Sequence, residues 1–115
     1  MISTHVLDTS RGRPAAGVPV VLERVGAVDG SGTRREIARG TTDADGRVRE
    51  LVPAGASLDA GTYCLTFDTA AYSTSSGQES FYPRVTVFFM VSNPAQHYHV
   101  PLLLSPYGYS TYRGS

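Results

Sequence analysis

Apolar and polar positions alternate with a period of two over short stretches of this chain, and glycine or proline interrupts most of them. Such alternation turns one side of an extended segment to a core and the other to water, which reads as β-strand. "STHVLD" at residues 3–8 is the first such stretch, closed by the turn-forming "SRGRP". "VPVVLERV" at 18–25 sends Val18, Val20 and Leu22 inward against Val21 and Glu23. A polar, glycine-rich loop at 26–33 leads into "RREIARGTT" at 34–42, and the tight turn "DADG" leads into "RVREL" at 47–51. "GTYCLTF" at 61–67 is a further strand, and "RVTVFFMV" at 84–91 is expected to be the most buried of all. "HYHVPLLLS" at 97–105 runs back, "PYG" turns again, and "YSTYRGS" at 109–115 forms a last strand. Between the strands at 61–67 and 84–91, "DTAAYSTSSGQESFYP" breaks the alternation and has room for one short helix at 69–76 before Pro83. About eight strands at this spacing predict an antiparallel all-β sandwich. No repeat, linker or low-complexity segment divides residues 1–115, so one domain is expected.

Composition narrows the function. A chain of 115 residues with 41% apolar content can bury a core of its own. Ten arginines balance ten acids, which leaves no net charge to attract nucleic acid or an anionic membrane. All the basic residues are arginine, so lysine is excluded as base, nucleophile or Schiff-base former. Cys64 is the single cysteine, which rules out an intrachain disulfide, and its place in "GTYCLTFD" reads as core. The start "MISTHVLD" has neither a basic nor an apolar leader region, and "VTVFFMV" is too short to cross a bilayer. A soluble cytoplasmic protein is the expectation.

Chemistry concentrates in a few places. Of three histidines, His97 and His99 stand two apart and point to one face of a strand, while His5 lies on the first strand. Three imidazoles with an open position suit catalytic zinc, but no carboxylate stands near "HYH" to support a ligand. "DADGR" at 43–47 resembles a calcium loop only at its first and third positions; Arg47 holds the fifth and Ala54 the twelfth, so a plain turn is expected. Arg47 itself is a candidate anion-holding guanidinium. Phosphate loops, nucleophile elbows and paired cysteines are missing from the sequence. The residues alone give a small sandwich with a polar His and Arg cluster and name no substrate.

"THVLDTSRGRPAAGVPV" near the start and "HYHVPLLLSPYGYSTYRGS" at the end resemble the two signatures of the transthyretin-like superfamily. "TTDADGRV", "AGTYCLTFD" and "FYPRVTVFF" stand between them in the family's order, and "YRGS" marks the enzymatic branch, the 5-hydroxyisourate hydrolases. The resemblance implies a sandwich of two four-stranded antiparallel sheets with one short helix. It also implies hydrolytic opening of a ring amide to give a carboxylated ureidoimidazoline, with water as nucleophile and neither metal nor cofactor. Carried over residue by residue, it places catalysis on His5, Arg47, His99 and Ser115. Tyr112, Arg113 and Gly114 fall in substrate binding, and His97 stands behind them. One imidazole would act as base with the other orienting it, and Arg47 would hold the anionic ring. Gly114 would allow close backbone approach or a positive φ. The family assembles as a homotetramer, a dimer of dimers whose sites lie where the dimers meet. In its hormone-carrying branch the histidines and the arginine are replaced and "YRGS" is missing, which puts this chain on the enzyme side; because the fold is shared, a small-ligand carrier is the competing expectation.

Overall fold

A computed structural model describes residues 1–26 and 33–115. The expected polar loop at 26–33 lies, apart from its two end residues, outside the described residues. The strands are β1 (Ile2–Asp8), β2 (Arg13–Pro14), β3 (Pro19–Val25), β4 (Arg34–Thr41), β5 (Arg47–Val52), β6 (Gly61–Phe67), β7 (Val85–Val91), β8 (Tyr98–Ser105) and β9 (Gly108–Thr111). One helix, α1 (Thr69–Ser76), stands at the predicted place. The Asp68 side chain caps its first turn, accepting from the Ala71 N–H at 3.0 Å, and Gly77 ends it at φ 73°.

Two sheets pack face to face. One has the order β4-β3-β6-β7; the other runs β2-β1-β8-β9, with β5 also paired to β1. The alternation of β3 holds as read, with Val18, Val20 and Leu22 buried. Ile2, Val6, Leu22, Tyr63, Leu65, Phe67, Val100 and Leu102 meet between the layers.

The second sheet has five strands rather than four, because β2 forms within the expected turn and pairs with β1, and four further details depart from the sequence reading. First, β1 and β8 run parallel rather than antiparallel, with Ser3 opposite His99 and His5 opposite Pro101. A parallel pair needs a long crossover, and here most of the chain intervenes. Second, β7 is not the most buried strand. It lies at a sheet edge, where Phe88 is 53% and Met90 73% exposed. Third, Cys64 is buried but lies outside the core cluster. It alternates to the outer face of β6, between Glu23 and Phe88 on the flanking strands, and burial pushes its thiol up. Fourth, the last strand stops at Thr111. Pro101 has no N–H to continue the ladder, and its carbonyl accepts from the Thr111 hydroxyl at 2.7 Å. The same register resumes three residues on, where the Gly114 N–H donates to the His99 carbonyl at 2.8 Å.

Candidate active site

The "DADG" turn fixes Arg47, the candidate anion-holding arginine. Asp43 Oδ1 accepts from the backbone N–H groups of Asp45 (2.9 Å) and Arg47 (3.0 Å), so β5 begins at Arg47. Those bonds, the one from Arg47 first, hold the Asp43 carboxyl below its ordinary value. Gly46 sits at φ 76°, and a Cβ there would collide with the Val6 carbonyl oxygen. The turn therefore lies directly on β1. It sets Arg47 opposite His5 across the β1–β5 pair.

The β5 strand then bulges. Between the pairs Thr4↔Val48 and Ile2↔Val52, β1 advances two residues and β5 four. Arg49 and Glu50 leave the ladder at this point, and the space beside Ser3 opens. A cavity of about 310 Å³ results, lined by Ser3, Arg47, Arg49, Glu50, His97, His99 and Ser115 among others. Elements far apart in sequence meet here: the start of β1, the start of β5, the start of β8 and the tail beyond β9.

His99 is its central group. Burial first, then the Arg47 charge, then His97 and His5, hold its pKa below the ordinary histidine value. At neutral pH this imidazole is uncharged and keeps a lone pair. The Ser3 hydroxyl lies 2.8 Å from His99 Nδ1 and 2.8 Å from His97 Nε2. His99 Nδ1 is thereby engaged, and Nε2 is the nitrogen left for chemistry. The tail packs directly on the ring: a Cβ on Gly114 would stand 2.5 Å from His99 Cδ2. Gly114 is needed for that close approach; it does not have a positive φ.

The expected residues divide. Arg47, His97, His99 and Ser115 line one cavity, with Gly114 against the His99 ring. His5 stands at its margin, and its Nε2–H donates to the Asp45 carbonyl at 2.9 Å, which leaves Nδ1 as its free nitrogen. Arg113 turns away from the cavity: its guanidinium lies 4.6 Å above the Tyr98 ring and donates to Gln96 Oε1 at 3.3 Å. Tyr112 is 57% exposed and borders, with Arg113, a second cleft of about 250 Å³ against β7. Ser3, Arg49 and Glu50 were not singled out from sequence. Ser3 shares a strand face with His5, which was a usable signal; the bulge that exposes Arg49 and Glu50 left none. Among the described residues no three His, Cys, Asp or Glu side chains are grouped to hold a metal. No helix among them is long and apolar enough to cross a membrane.

Comparison with known proteins points to one family. A family model described as "HIUase/Transthyretin family" matches residues 2–114. A 5-hydroxyisourate hydrolase of Salmonella typhimurium is 46% identical over 115 residues, covering 100% of this chain and 81% of that protein. The 5-hydroxyisourate hydrolase of Mus musculus is 46% identical over 114 residues, covering 99% and 94%. Among solved structures, Klebsiella pneumoniae 5-hydroxyisourate hydrolase superposes with a TM-score of 0.80 at 41% identity, covering 99% of this chain and 92% of that one. Sea bream transthyretin in complex with thyroxine gives 0.87 at 33% identity, covering 98% and 93%.

Proposed function

The chain belongs to the HIUase/transthyretin family, and from that premise we propose that it is a hydrolase opening the ring amide of 5-hydroxyisourate in urate degradation. The observation that carries this reading is the convergence of Arg47, His99 and Ser115 on one polar cavity. A carrier of aromatic ligands would want apolar walls there instead.

In the mechanism, His99 Nε2 takes a proton from water as the water oxygen attacks the ring carbonyl. The depressed pKa of His99 keeps that nitrogen free at neutral pH. Arg47 attracts the anionic substrate and stabilises charge growing on the carbonyl oxygen. Its positive charge also helps to keep His99 neutral. His5, held by the Asp45 carbonyl, orients water or substrate through Nδ1. Ser115 lines the same cavity, and Arg113, stacked on Tyr98, secures the tail. Tyr112 borders the substrate's approach from the second cleft. Water is the nucleophile, so the reaction as written needs no cofactor.

Mixing urate with urate oxidase generates the substrate, and its spectroscopic decay with and without this protein is the test. Faster decay is expected; an unchanged rate alongside tight binding of an aromatic ligand would favour the carrier. Deleting residues 112–115 should abolish turnover in a folded domain. This reading includes a homotetramer, supported by the bare edges of β7 and β9, and a cytoplasmic location, supported by the lone buried thiol. Sedimentation and cell fractionation would test these two.

A further inference from the structure

Ser3 is buried, 5% exposed, and lies opposite His99 on the adjacent strand. Its hydroxyl oxygen, which carries a single proton, stands between two imidazole nitrogens, each 2.8 Å away. The oxygen can donate to one ring and must accept from the other. The rings themselves do not touch, since their centroids are 6.3 Å apart and tilted by 50°. His97 is exposed, whereas His99 is partly buried beside Arg47. The hydroxyl therefore links a shielded imidazole to a hydrated one.

We propose that Ser3 is a positioning residue that accepts from His99 Nδ1–H and donates to His97 Nε2, so that His99 Nε2 is the base and His97 stores the proton. This rests on the hydrolytic reading above. The steps balance. As the water oxygen bonds to the carbonyl carbon, one water proton passes to His99 Nε2. The His99 Nδ1 proton moves to Ser3 Oγ, and the Ser3 proton moves to His97 Nε2. The positive charge then rests on His97, in water, instead of on His99 between burial and Arg47. When the carbon–nitrogen bond breaks, the leaving nitrogen takes the His99 Nε2 proton. The chain then runs backward from His97, restoring His99 Nδ1–H. No proton need be exchanged with solvent between the two steps. Other charged or titratable groups of the same cavity and its margin are His5 on β1, Arg47, Arg49 and Glu50 on β5, the Met1 amino group and the Ser115 carboxylate.

The test combines ¹⁵N NMR of the imidazoles with kinetics. In the wild-type protein without substrate, His99 is expected in the Nδ1–H form; finding Nε2–H would overturn the proposal, whatever the variants do. Ser3→Ala should shift His99 toward Nε2–H and lower kcat by about 10- to 100-fold with KM little changed. Ser3→Thr keeps the hydroxyl and should restore both readouts. His97→Gln keeps an acceptor for Ser3 but cannot store a proton, and should lower kcat as Ser3→Ala does. An unchanged kcat in Ser3→Ala or His97→Gln would overturn the relay. A wild-type protein without activity on 5-hydroxyisourate would instead sink the function, while the imidazole spectra still report on the Ser3 bridge.

Discussion

At the level of single residues, the proposed hydrolysis turns on His99 and on Gly114 packed against its ring. An alanine at 114 would place a methyl 2.5 Å from His99 Cδ2, so either the ring or the tail must move. Misplacing a catalytic group by about 1 Å can cost up to about 100-fold in rate. Gly114→Ala should therefore lower kcat strongly with a melting temperature close to wild type, because the tail is not part of the core. A variant of normal rate would detach the tail from the His99 ring. The second expectation concerns pH. Burial and then the Arg47 charge depress the His99 pKa, so the neutral base persists below the ordinary histidine value of about 6.5 and is lost only on further acidification. The same depression makes the fold less stable in acid: protonating His99 is disfavoured in the folded state, so stability begins to fall below the unfolded value and goes on falling as pH drops through the folded one. Titration by NMR should find His99 below the ordinary range, and Arg47→Gln should raise it; movement the other way would contradict the electrostatics. His5, Arg47 and His99 were recognisable from sequence because their types and motifs are distinctive. The Ser3 bridge was not, because it depends on a parallel register that brings residue 3 beside residue 99.

At the level of elements, α1 is tied to β1 by a buried carboxylate. Asp8 is 2% exposed and accepts from the Tyr72 hydroxyl at 2.6 Å, the Ser10 hydroxyl at 2.8 Å and the Arg11 N–H at 3.1 Å. Burial alone would raise the Asp8 carboxyl, but these bonds outweigh it and hold it below its ordinary value. Burial, and then the bond to Asp8, push the Tyr72 phenol up to about 12. Tyr72→Phe should cost about 1.5–3 kcal/mol at neutral pH, as for a hydrogen bond to a charged group. Asp8 contributes above the unfolded carboxylate value and loses that contribution as pH falls through its folded value. The phenol contributes below about 10 and loses its contribution as pH rises through about 12. The gap between wild type and Tyr72→Phe in urea unfolding should thus narrow at both ends of the pH range. A gap independent of pH would assign the loss to packing alone. Most element positions were legible, since alternation and turn residues fix strands such as β3 and β6 locally. The end of β9 was less so, because Pro101 interrupts it from the opposite strand.

For the molecule as a whole, local pattern stops being informative. An unbroken apolar run such as "VTVFFMV" reports that a strand has two apolar sides, but not what covers them, which is why β7 reads as the most buried strand. Within this chain Phe88 and Met90 stay exposed, and β7 and β9 are both terminal strands of their sheets. Isolated exposed apolar side chains are ordinary, but two on one bare edge, beside the cleft bordered by Tyr112, make this the surface that the proposed assembly would cover. Phe88 is a poor probe, because the Arg34 guanidinium lies 5.1 Å above its ring and its loss would disturb β4 as well. Met90, 73% exposed, is a better one. Replacing so exposed a side chain should change the stability of the folded monomer by no more than about 0.5 kcal/mol. Met90→Glu would however bury a charge in any interface built on this edge, at a cost of several kcal/mol in association. Sedimentation of the wild-type protein should give a mass well above the 12.3 kDa of one chain, and Met90→Glu should shift it toward that value. A wild type that sediments as a single chain, or a variant whose assembly is unchanged, would leave β7 as a solvent-facing edge and place the interface elsewhere.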